Sequence, residues 1–279
     1  MSPIVLTTLA MLAFAANSIL CRMALGDHAI DAASFTSIRL LSGAVMLSGI
    51  LLYRHRSLRS GKIDAIATLM LFVYAICFSF SYIELSAGTG ALVLFGAVQV
   101  TMILFGIATG ERHGTIVWIG IVAAFGGLVY LLMPSVSAPP LMSALLMIVA
   151  GIAWGVYTIR GKRSRDPLDA TAWNFISTIP LSLLAYVIFR TDAHLTSSGV
   201  TLAILSGTLA SGIGYVIWYA ALPHLSRTTA ATVQLSVPVI AAVGGVLLLS
   251  EPVSARLVIA SLVVLGGIHL TINKATRTR

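Results

Sequence analysis

One pattern of charge and glycine occurs twice in the chain, 140 residues apart. Glu111 is followed fifteen residues later by Gly126-Gly127, and Glu251 is followed fifteen residues later by Gly266-Gly267. Each glutamate ends one long apolar run, and each glycine pair lies inside the next run. A repeat of this length and hydrophobicity indicates a duplicated membrane-spanning unit.

The same shift of 140 residues superimposes other features of the two halves. It places Phe14 on Trp154 and Arg22 on Lys162. A unit with an odd number of membrane crossings that is repeated once must be inverted in the bilayer. Secondary transporters are built in this way, with the substrate site near the bilayer midplane between the repeats. The repeat therefore favours a transporter architecture.

Composition agrees with a membrane protein. Of 279 residues, 58% are hydrophobic and only 9% are charged, and the mean hydropathy is +1.00. Soluble domains carry about 25% charged residues. A soluble protein of this length could not bury so much apolar surface, whereas a bilayer covers it.

Ten apolar runs approach the roughly 20 residues that a spanning helix needs. They cover residues 3–25, 32–53, 64–83, 88–109, 115–133, 140–160, 169–189, 199–220, 228–249 and 255–273. The sequence thus predicts an all-α membrane protein with ten transmembrane helices arranged as two inverted five-helix repeats. The first repeat covers residues 1–134 and the second covers residues 140–273, with a tail over 274–279. Such continuous runs exclude a transmembrane barrel, whose strands alternate over about ten residues.

Positive charges in the short loops predict the orientation, because cytoplasmic loops are enriched in Lys and Arg. If the N-terminus is cytoplasmic, the inner loops and the tail hold thirteen cations. These are Arg54, Arg56, Arg59, Lys62, Arg112, Arg160, Lys162, Arg163, Arg165, Arg227, Lys274, Arg277 and Arg279. The outer side holds Arg190 and Arg256, with Arg22 near a helix end. We therefore expect both termini to be cytoplasmic.

Several function classes are disfavoured. The net charge of +8 lies in short loops and not on one basic face, so nucleic-acid binding is not expected. Cys21 and Cys77 lie inside apolar runs, which indicates neither a disulfide framework nor a metal cluster. Hydrolase and metalloprotease motifs are missing from the sequence, which argues against an enzyme. We expect no cofactor, and the expected partners include the lipid bilayer and a small-molecule substrate.

Taken together, these features resemble the drug/metabolite transporter superfamily, EamA type. The resemblance covers the whole chain and is best in the second half, where Pro238 lies in the ninth run and Ser250-Glu251-Pro252 ends it. Ser37-Ile38-Arg39-Leu40-Leu41 is similar to the family's arginine pattern in its second helix. The first half departs from the pattern, with Val98 in place of the proline. Within the superfamily the chain is most similar to bacterial aromatic amino-acid exporters, which implies a bacterial inner membrane.

The family builds its central cavity from helices 1, 3, 4, 6, 8 and 9, and the resemblance extends this expectation to polar and aromatic residues in the matching runs. The candidates for the substrate cavity are Asn17, Ser79, Tyr82, Phe95, Gln99, Trp154, Tyr157, Tyr215, Tyr219 and Gln234. The candidate hinges are Gly88, Gly90, Gly212, Gly214 and Pro238. An alternative stays open, because aromatic residues near helix ends often form interfacial belts and mid-membrane amides often bond a neighbouring helix.

Missing charges limit the substrate class. Glu84 ends the third run and Asp31 opens the second, so no acid lies deep in a run. Arg39 is the one deep cation, and we expect it to be structural, either snorkelling to the interface or paired with Glu84 or Asp31. A neutral cavity rich in aromatic rings, amides and hydroxyls suits aromatic and other neutral amino acids.

Two hypotheses about transport stay open. The first is export of aromatic and other neutral amino acids by alternating access, down the substrate gradient. The alternative is a proton-coupled exporter of drugs or other small metabolites, with Glu84 or His269 carrying the proton. In either case, Gly120 and Ala124 lie four residues apart, a small-residue spacing that permits a homodimer.

Overall fold

The computed structural model describes residues 2–55, 63–109, 114–133, 138–161, 166–189, 195–225 and 233–275. Within these ranges the chain is helical and contains no strand. Glu111 and Lys162, which belong to the sequence repeat, lie outside the described residues.

The helices follow the predicted apolar runs closely. They are α1 (Pro3–Gly26), α2 (Ala32–His55), α3 (Ala65–Ser81), α4 (Ala87–Ala108), α5 (Thr115–Leu132), α6 (Leu141–Gly161), α7 (Pro167–Phe189), α8 (Ser197–Leu205), α9 (Gly214–Ala221), α10 (Ser236–Leu249) and α11 (Ala255–Ala275). Ser206–Ile213, between α8 and α9, is π-helical, and Leu222–His224 forms a 3₁₀ turn after α9.

Among the residues that the structure describes, seven helical segments are long and apolar enough to cross a membrane. They are Pro3–Gly26, Ala32–Arg54, Ala87–Ala108, Thr115–Leu132, Leu141–Gly161, Leu168–Phe189 and Ser197–His224. Three more apolar helices are shorter: Ala65–Ser81, Ser236–Leu249 and Ala255–Leu270. Large apolar side chains such as Val122, Val187, Leu247 and Leu262 are exposed on the outer faces. Apolar surface of this extent marks a multi-pass membrane protein.

Polar side chains begin several of these apolar helices. Ser2, Asp64, Ser86 and Thr196 cap α1, α3, α4 and α8, each accepting a hydrogen bond from a backbone N–H of the first turn. The first N–H groups of a helix have no partner within the helix, so a side-chain acceptor at this position stabilises the helix start by about 1 kcal/mol.

The ninth run departs from the prediction of one helix over residues 228–249. In the described part, Val233 and Gln234 are helical, Leu235 lies in a turn, and α10 begins at Ser236. Pro238 is responsible, because it has no N–H to donate to the carbonyl of Gln234. The proline therefore lies in the first turn of α10 and not in the middle of a long helix.

The packing of the helices has an internal order. α5 packs against α11, and α2 packs against α7. α6 packs against α3 and α4, and in the same way α1 packs against α9 and α10. The helices α1–α5 correspond in order to α6, α7, the α8–α9 segment, α10 and α11. If each helix is replaced by its counterpart in the other half, the same pairs of packed helices result.

The repeated glycine pairs join α5 to α11. A Cβ on Gly127 would lie 2.8 Å from Val264, and a Cβ on Gly267 would lie 2.6 Å from the carbonyl oxygen of Gly120 and 2.7 Å from the nitrogen of Ala124. Their neighbours Gly126 and Gly266 instead face open space. The small-residue face of Gly120 and Ala124 is therefore covered by α11 of the same chain, which occupies the face that the sequence suggested for a homodimer.

Candidate substrate cavity

A small cavity lies between α1, α3, α4, α6, α9 and the π-helical segment. It is lined by Phe14, Asn17, Ser18, Tyr74, Phe78, Leu94, Phe95, Trp154, Ala210 and Tyr215. The free volume of this cavity is about 20 Å³, enough for roughly one water molecule. An aromatic amino acid cannot enter this space unless the lining side chains move.

Aromatic rings form most of the cavity wall, with Trp154 at the centre. Its ring centroid lies 4.8 Å from Tyr74, 5.1 Å from Tyr215 and 5.4 Å from Tyr157. Phe14, which the sequence repeat superimposes on Trp154, meets it edge-on at 6.5 Å. These spacings are typical of attractive aromatic pairs, which prefer tilted or edge-to-face arrangements.

A chain of hydrogen bonds crosses the helices beside this wall. The hydroxyl of Ser206 donates to Oδ1 of Asn17 at 2.7 Å, and Nδ2 of Asn17 donates to Oη of Tyr74 at 3.2 Å. Nη2 of Arg39 donates to the same Tyr74 oxygen at 3.0 Å, and its Nε donates to Oγ of Ser211 at 3.4 Å. The chain contains one amide, one phenol, two hydroxyls and one guanidinium.

The π-helical segment supplies both serines of this chain. Its position against α2 depends on Gly207, because a Cβ there would lie 2.0 Å from Oγ of Ser42 and 2.2 Å from the carbonyl oxygen of Arg39. The wider π-turn places Ser206 and Ser211 near Asn17 and Arg39 at once. π-helical turns occur frequently at functional sites.

Arg39 is buried inside the helix bundle and neither reaches the membrane interface nor pairs with an acid of the described ranges. The side chain is 1% exposed, and its guanidinium carbon lies 5.2 Å from the ring centre of Tyr74 and 4.9 Å from that of Phe78. Glu84 is exposed, and Asp31 accepts hydrogen bonds from backbone N–H groups at the start of α2. The prediction that Arg39 snorkels or pairs with either acid is therefore wrong, because the long side chain extends into the protein and reaches α3.

Four of the ten predicted cavity residues line the cavity: Asn17, Phe95, Trp154 and Tyr215. Tyr157 lies behind the wall, stacked on Trp154, and its hydroxyl accepts a hydrogen bond from Nδ2 of Asn174 at 3.5 Å. It supports the wall without lining the space.

Two predicted residues on α3 have packing roles. The hydroxyl of Ser79 accepts a hydrogen bond from Thr36 at 2.8 Å, which joins α3 to α2. Tyr82 is fully buried, and its hydroxyl donates to the carbonyl of Ala87 at 3.4 Å. Neither lines the cavity, and burial also excludes the interfacial role for Tyr82.

Three further predicted residues also lie outside the lining. Gln99 is buried in α4, and its Nε2 atom has no hydrogen-bond partner within the described ranges. Gln234 is buried before α10. Tyr219 is half-buried in α9, with its hydroxyl close to Gly161 at the end of α6.

Two aromatic residues of α3 that form part of the wall, Tyr74 and Phe78, are not among the candidates predicted from the sequence. Tyr74 and Phe78 line the cavity, and Phe78 packs against Tyr82 at 4.7 Å. The three residues are spaced four apart and so share one helix face. This spacing of aromatic residues is a signal that could have identified the face of α3 that points inward.

An ion pair closes one end of the helix bundle. Nε of Arg22 lies 3.1 Å from Oε1 of Glu251, and Nη1 donates to the carbonyl oxygens of Tyr82 at 3.1 Å and Ile83 at 2.7 Å. Oε2 of Glu251 accepts a hydrogen bond from the N–H of Ala87 at 2.9 Å. The pair therefore ties α1 and the α3–α4 turn to the segment after α10.

A second ion pair lies at the opposite end of α3. Nε of Arg160 donates to Oδ2 of Asp64 at 2.8 Å. Burial alone would raise the pKa of Asp64, but hydrogen bonds from Arg160 and from the backbone N–H groups of Ala67 and Ile66, with the charge of Arg160, hold this pKa below its ordinary value. Asp64 is thus a charged partner at neutral pH.

The predicted hinge glycines lie at close helix contacts. A Cβ on Gly88 would lie 2.7 Å from Ala242, and one on Gly90 would lie 2.4 Å from the ring of Tyr82. On the other side of the cavity, Gly212 lies within the π-helical segment and Gly214 begins α9, where a Cβ would lie 2.9 Å from Ala13. All four therefore allow neighbouring helices to approach closely.

Comparison with known proteins identifies the family. The sequence model of the EamA-like transporter family matches residues 141–273. An uncharacterized protein of Pseudomonas aeruginosa is 52% identical over 267 residues, which cover 96% of this chain and 93% of the relative. The chain belongs to the EamA-like transporter family, within the drug/metabolite transporter superfamily. As an EamA-like transporter it moves a solute across a membrane and is not an enzyme.

More distant comparisons extend the relation. A protein of Salmonella typhimurium named as a probable amino-acid metabolite efflux pump is 25% identical over 201 residues, covering 67% of each chain. One protein of known crystal structure, 19% identical, superimposes on this EamA-like chain with a TM-score of 0.69 over 97% of both chains. At that identity the likeness establishes the fold alone.

Proposed function

We propose that this EamA-like protein resides in a bacterial inner membrane and exports aromatic and other neutral amino acids by alternating access, down their own gradient. The cavity is the observation that carries the proposal. Six aromatic rings line it, together with the amide of Asn17, and no carboxylate among the described residues does so. The relation to a probable amino-acid metabolite efflux pump supports the substrate class.

The proposed architecture is ten spanning helices in two inverted five-helix repeats with cytoplasmic termini. The exchangeable packing of the two halves supports the repeat, as do the matching contacts of Gly127 and Gly267. The distribution of loop cations supports the orientation. In this arrangement Arg22 and Glu251 lie at the outer end, and Asp64 and Arg160 lie at the cytoplasmic end.

Aromatic substrates fit the wall by their faces and edges. A ring that enters beside Trp154 would replace contacts that this side chain now makes with Tyr74 and Tyr215, so little aromatic contact is lost on binding. The small free volume corresponds to a form that is closed to a substrate of this size. Substrate entry then requires one end of the bundle to open.

Each end is held by an ion pair between the two halves, and opening of either end must break one. Arg22–Glu251 would close the outer end and Asp64–Arg160 the cytoplasmic end. Movement between the two open forms would use the π-helical segment and the turn at Leu235 before Pro238, where the regular hydrogen-bond ladder is already interrupted. Closely packed glycines such as Gly88 would allow helices to slide past each other.

Transport down the gradient is favoured over proton coupling by the positions of the candidate proton carriers. Glu84 is exposed and accepts a hydrogen bond from Ser143, and His269 is exposed on α11. Neither lines the cavity. A coupled antiporter needs one group that alternately holds the proton and contacts the substrate, and neither residue meets the second requirement.

Flux measurements in proteoliposomes test the proposal. With no ion gradient, we expect saturable uptake of labelled tryptophan that phenylalanine and threonine inhibit competitively. An imposed pH gradient should change the initial rate little. Uptake that begins only when a proton gradient is imposed would favour the coupled antiporter, and Glu84→Gln would then separate the two mechanisms by abolishing flux.

A further inference from the structure

Arg39 holds a permanent positive charge inside the helix bundle, and no acid of the described ranges pairs with it. A guanidinium has five N–H donors and stays protonated in proteins. Nε and Nη2 donate to the neutral oxygens of Ser211 and Tyr74, whereas Nη1 has no hydrogen-bond partner within the described ranges. The side chain is 1% exposed, so the guanidinium is shielded from bulk water.

No acid among the described residues forms an ion pair with Arg39. Glu251 pairs with Arg22, and Asp64 pairs with Arg160. Oδ1 of Asp31, the residue before α2, accepts hydrogen bonds from the N–H groups of Ala33 and Ser34, and its Oδ2 has no hydrogen-bond partner within the described ranges, Arg39 included. Buried charges in proteins are normally paired, because an unpaired ion loses its hydration with no compensation.

The guanidinium also adjoins the candidate substrate cavity. It lies over the rings of Tyr74 and Phe78, and both residues line the cavity. Tyr74 connects the two regions chemically, since its hydroxyl accepts hydrogen bonds from both Asn17 and Arg39. The rings of Tyr74 and Phe78 thus separate the guanidinium from the cavity, and a movement of Tyr74 away from Arg39 would open a path between them.

We propose that Arg39 binds the carboxylate of the transported solute, an inference that rests on the proposed function of amino-acid transport. The fork of a guanidinium matches a carboxylate in a bidentate pair, and the unpartnered Nη1 supplies a donor that no protein group satisfies. The aromatic part of the solute lies against Trp154, and its carboxylate replaces Tyr74 as the partner of Arg39. The charge of Arg39 is thus neutralised only when the site is occupied.

In this arrangement the protein recognises the carboxylate and the aromatic ring of the solute. A ligand that keeps the indole ring but lacks the carboxylate should bind roughly ten- to hundred-fold more weakly, the usual range for loss of hydrogen bonds to a charged group. A ligand that keeps the ring and the carboxylate but lacks the amino group should retain most of the affinity.

The test is binding to the purified full-length chain, measured as ligand-induced thermal stabilisation in detergent. The three probes are L-tryptophan, L-tryptophanamide and indole-3-propionate. In the wild type, both carboxylates should bind at least about ten-fold more tightly than the amide. Arg39→Gln should reduce the acid-to-amide ratio to about one, and Arg39→Lys, which keeps the charge and loses the fork, should give an intermediate ratio. Arg256→Gln, which removes a cation remote from the cavity, should keep the wild-type ratio.

The acid and the amide are measured on the same variant, so their affinity ratio does not depend on the fraction of that variant that is folded. Poor folding of Arg39→Gln therefore does not mimic the expected result. Tryptophan binding with an unchanged acid-to-amide ratio in Arg39→Gln would overturn this inference and leave the proposed function intact. Arg39-dependent binding of indole-3-propionate without binding of tryptophan would support the inference and contradict amino-acid transport. Binding of none of the three probes would contradict both.

Discussion

Arg22 and Glu251 form an ion pair at 3.1 Å that joins α1 to the segment after α10. The same two side chains bind the carbonyls of Tyr82 and Ile83 and the N–H of Ala87, so one pair also fixes the α3–α4 turn. Gly245 makes this possible, because a Cβ there would lie 2.4 Å from Oε2 of Glu251. We infer that this pair holds the outer end of the bundle closed.

Removing the charge of Glu251 should favour opening of that end. Glu251→Gln weakens the bonds to Arg22 and Ala87 by about 1–2 kcal/mol, which corresponds to a roughly 5–30-fold increase in the open population. Maleimide labelling of Cys21, which is fully buried next to Arg22, reports the opening in a Cys77→Ser background.

Glu84→Gln is the matched control for this measurement, since it removes an exposed carboxylate at the same end of α3. Its labelling rate should equal that of the wild type. Equal rates in Glu251→Gln and Glu84→Gln would show that the ion pair does not hold the end closed.

Stability should depend on pH through Asp64. Its pKa in the folded protein lies below the ordinary value of 3.8, so the folded state is stabilised above that pH, and the stabilisation is lost as the pH falls through the folded pKa. Both side chains of the Asp64–Arg160 pair are over one-third exposed, so the contribution is below about 1 kcal/mol. Asp64→Asn keeps an N-cap acceptor and removes the charge.

Thermal unfolding of wild type and Asp64→Asn in detergent should therefore give a higher Tm for the wild type at pH 6. The difference should shrink as the pH falls below 3.8 and disappear below the folded pKa of Asp64. A difference that persists or grows in acid would mean that the charge of Asp64 does not stabilise the folded protein.

The α5–α11 contact provides a direct test of helix packing. Gly267→Ala places a methyl group 2.6 Å from the carbonyl oxygen of Gly120, and backbone cannot move aside as a side chain can. We expect a loss of about 1–3 kcal/mol in the free energy of unfolding. Gly266→Ala, one residue earlier, faces open space and should be neutral or slightly stabilising. Equal stability of the two variants, measured by denaturation in mixed micelles, would rule out this packing.

The helix positions could be predicted from the sequence because a bilayer requires long apolar runs. The fourth run was predicted over 88–109, and α4 is Ala87–Ala108; the sixth was predicted over 140–160, and α6 is Leu141–Gly161. The π-helical segment Ser206–Ile213 could not be predicted, because hydrophobic periodicity separates helix from strand but does not separate a π-turn from an α-turn over eight residues.

The site was harder to predict for the same physical reason. When every face of a helix is apolar, sequence periodicity does not reveal which face points inward, so Tyr74 and Phe78 were missed and Ser79 was chosen in their place. For Arg39 the sequence predicts snorkelling or an acidic partner, because a charge inside the membrane is costly unless it reaches water or is paired. Its actual partners, Tyr74 and Ser211, are 35 and 172 residues away.

The measurement that tests the central claim most directly is counterflow of labelled L-tryptophan in proteoliposomes with no ion gradient. It compares wild type with Trp154→Ala, at the centre of the cavity wall, and Trp118→Ala, whose side chain is 48% exposed on α5. We expect saturable exchange in the wild type and in Trp118→Ala, and a loss of at least about ten-fold in Trp154→Ala, since the substitution removes the ring at the centre of the aromatic wall. Exchange that is unaffected by Trp154→Ala, or absent in the wild type, would contradict that claim.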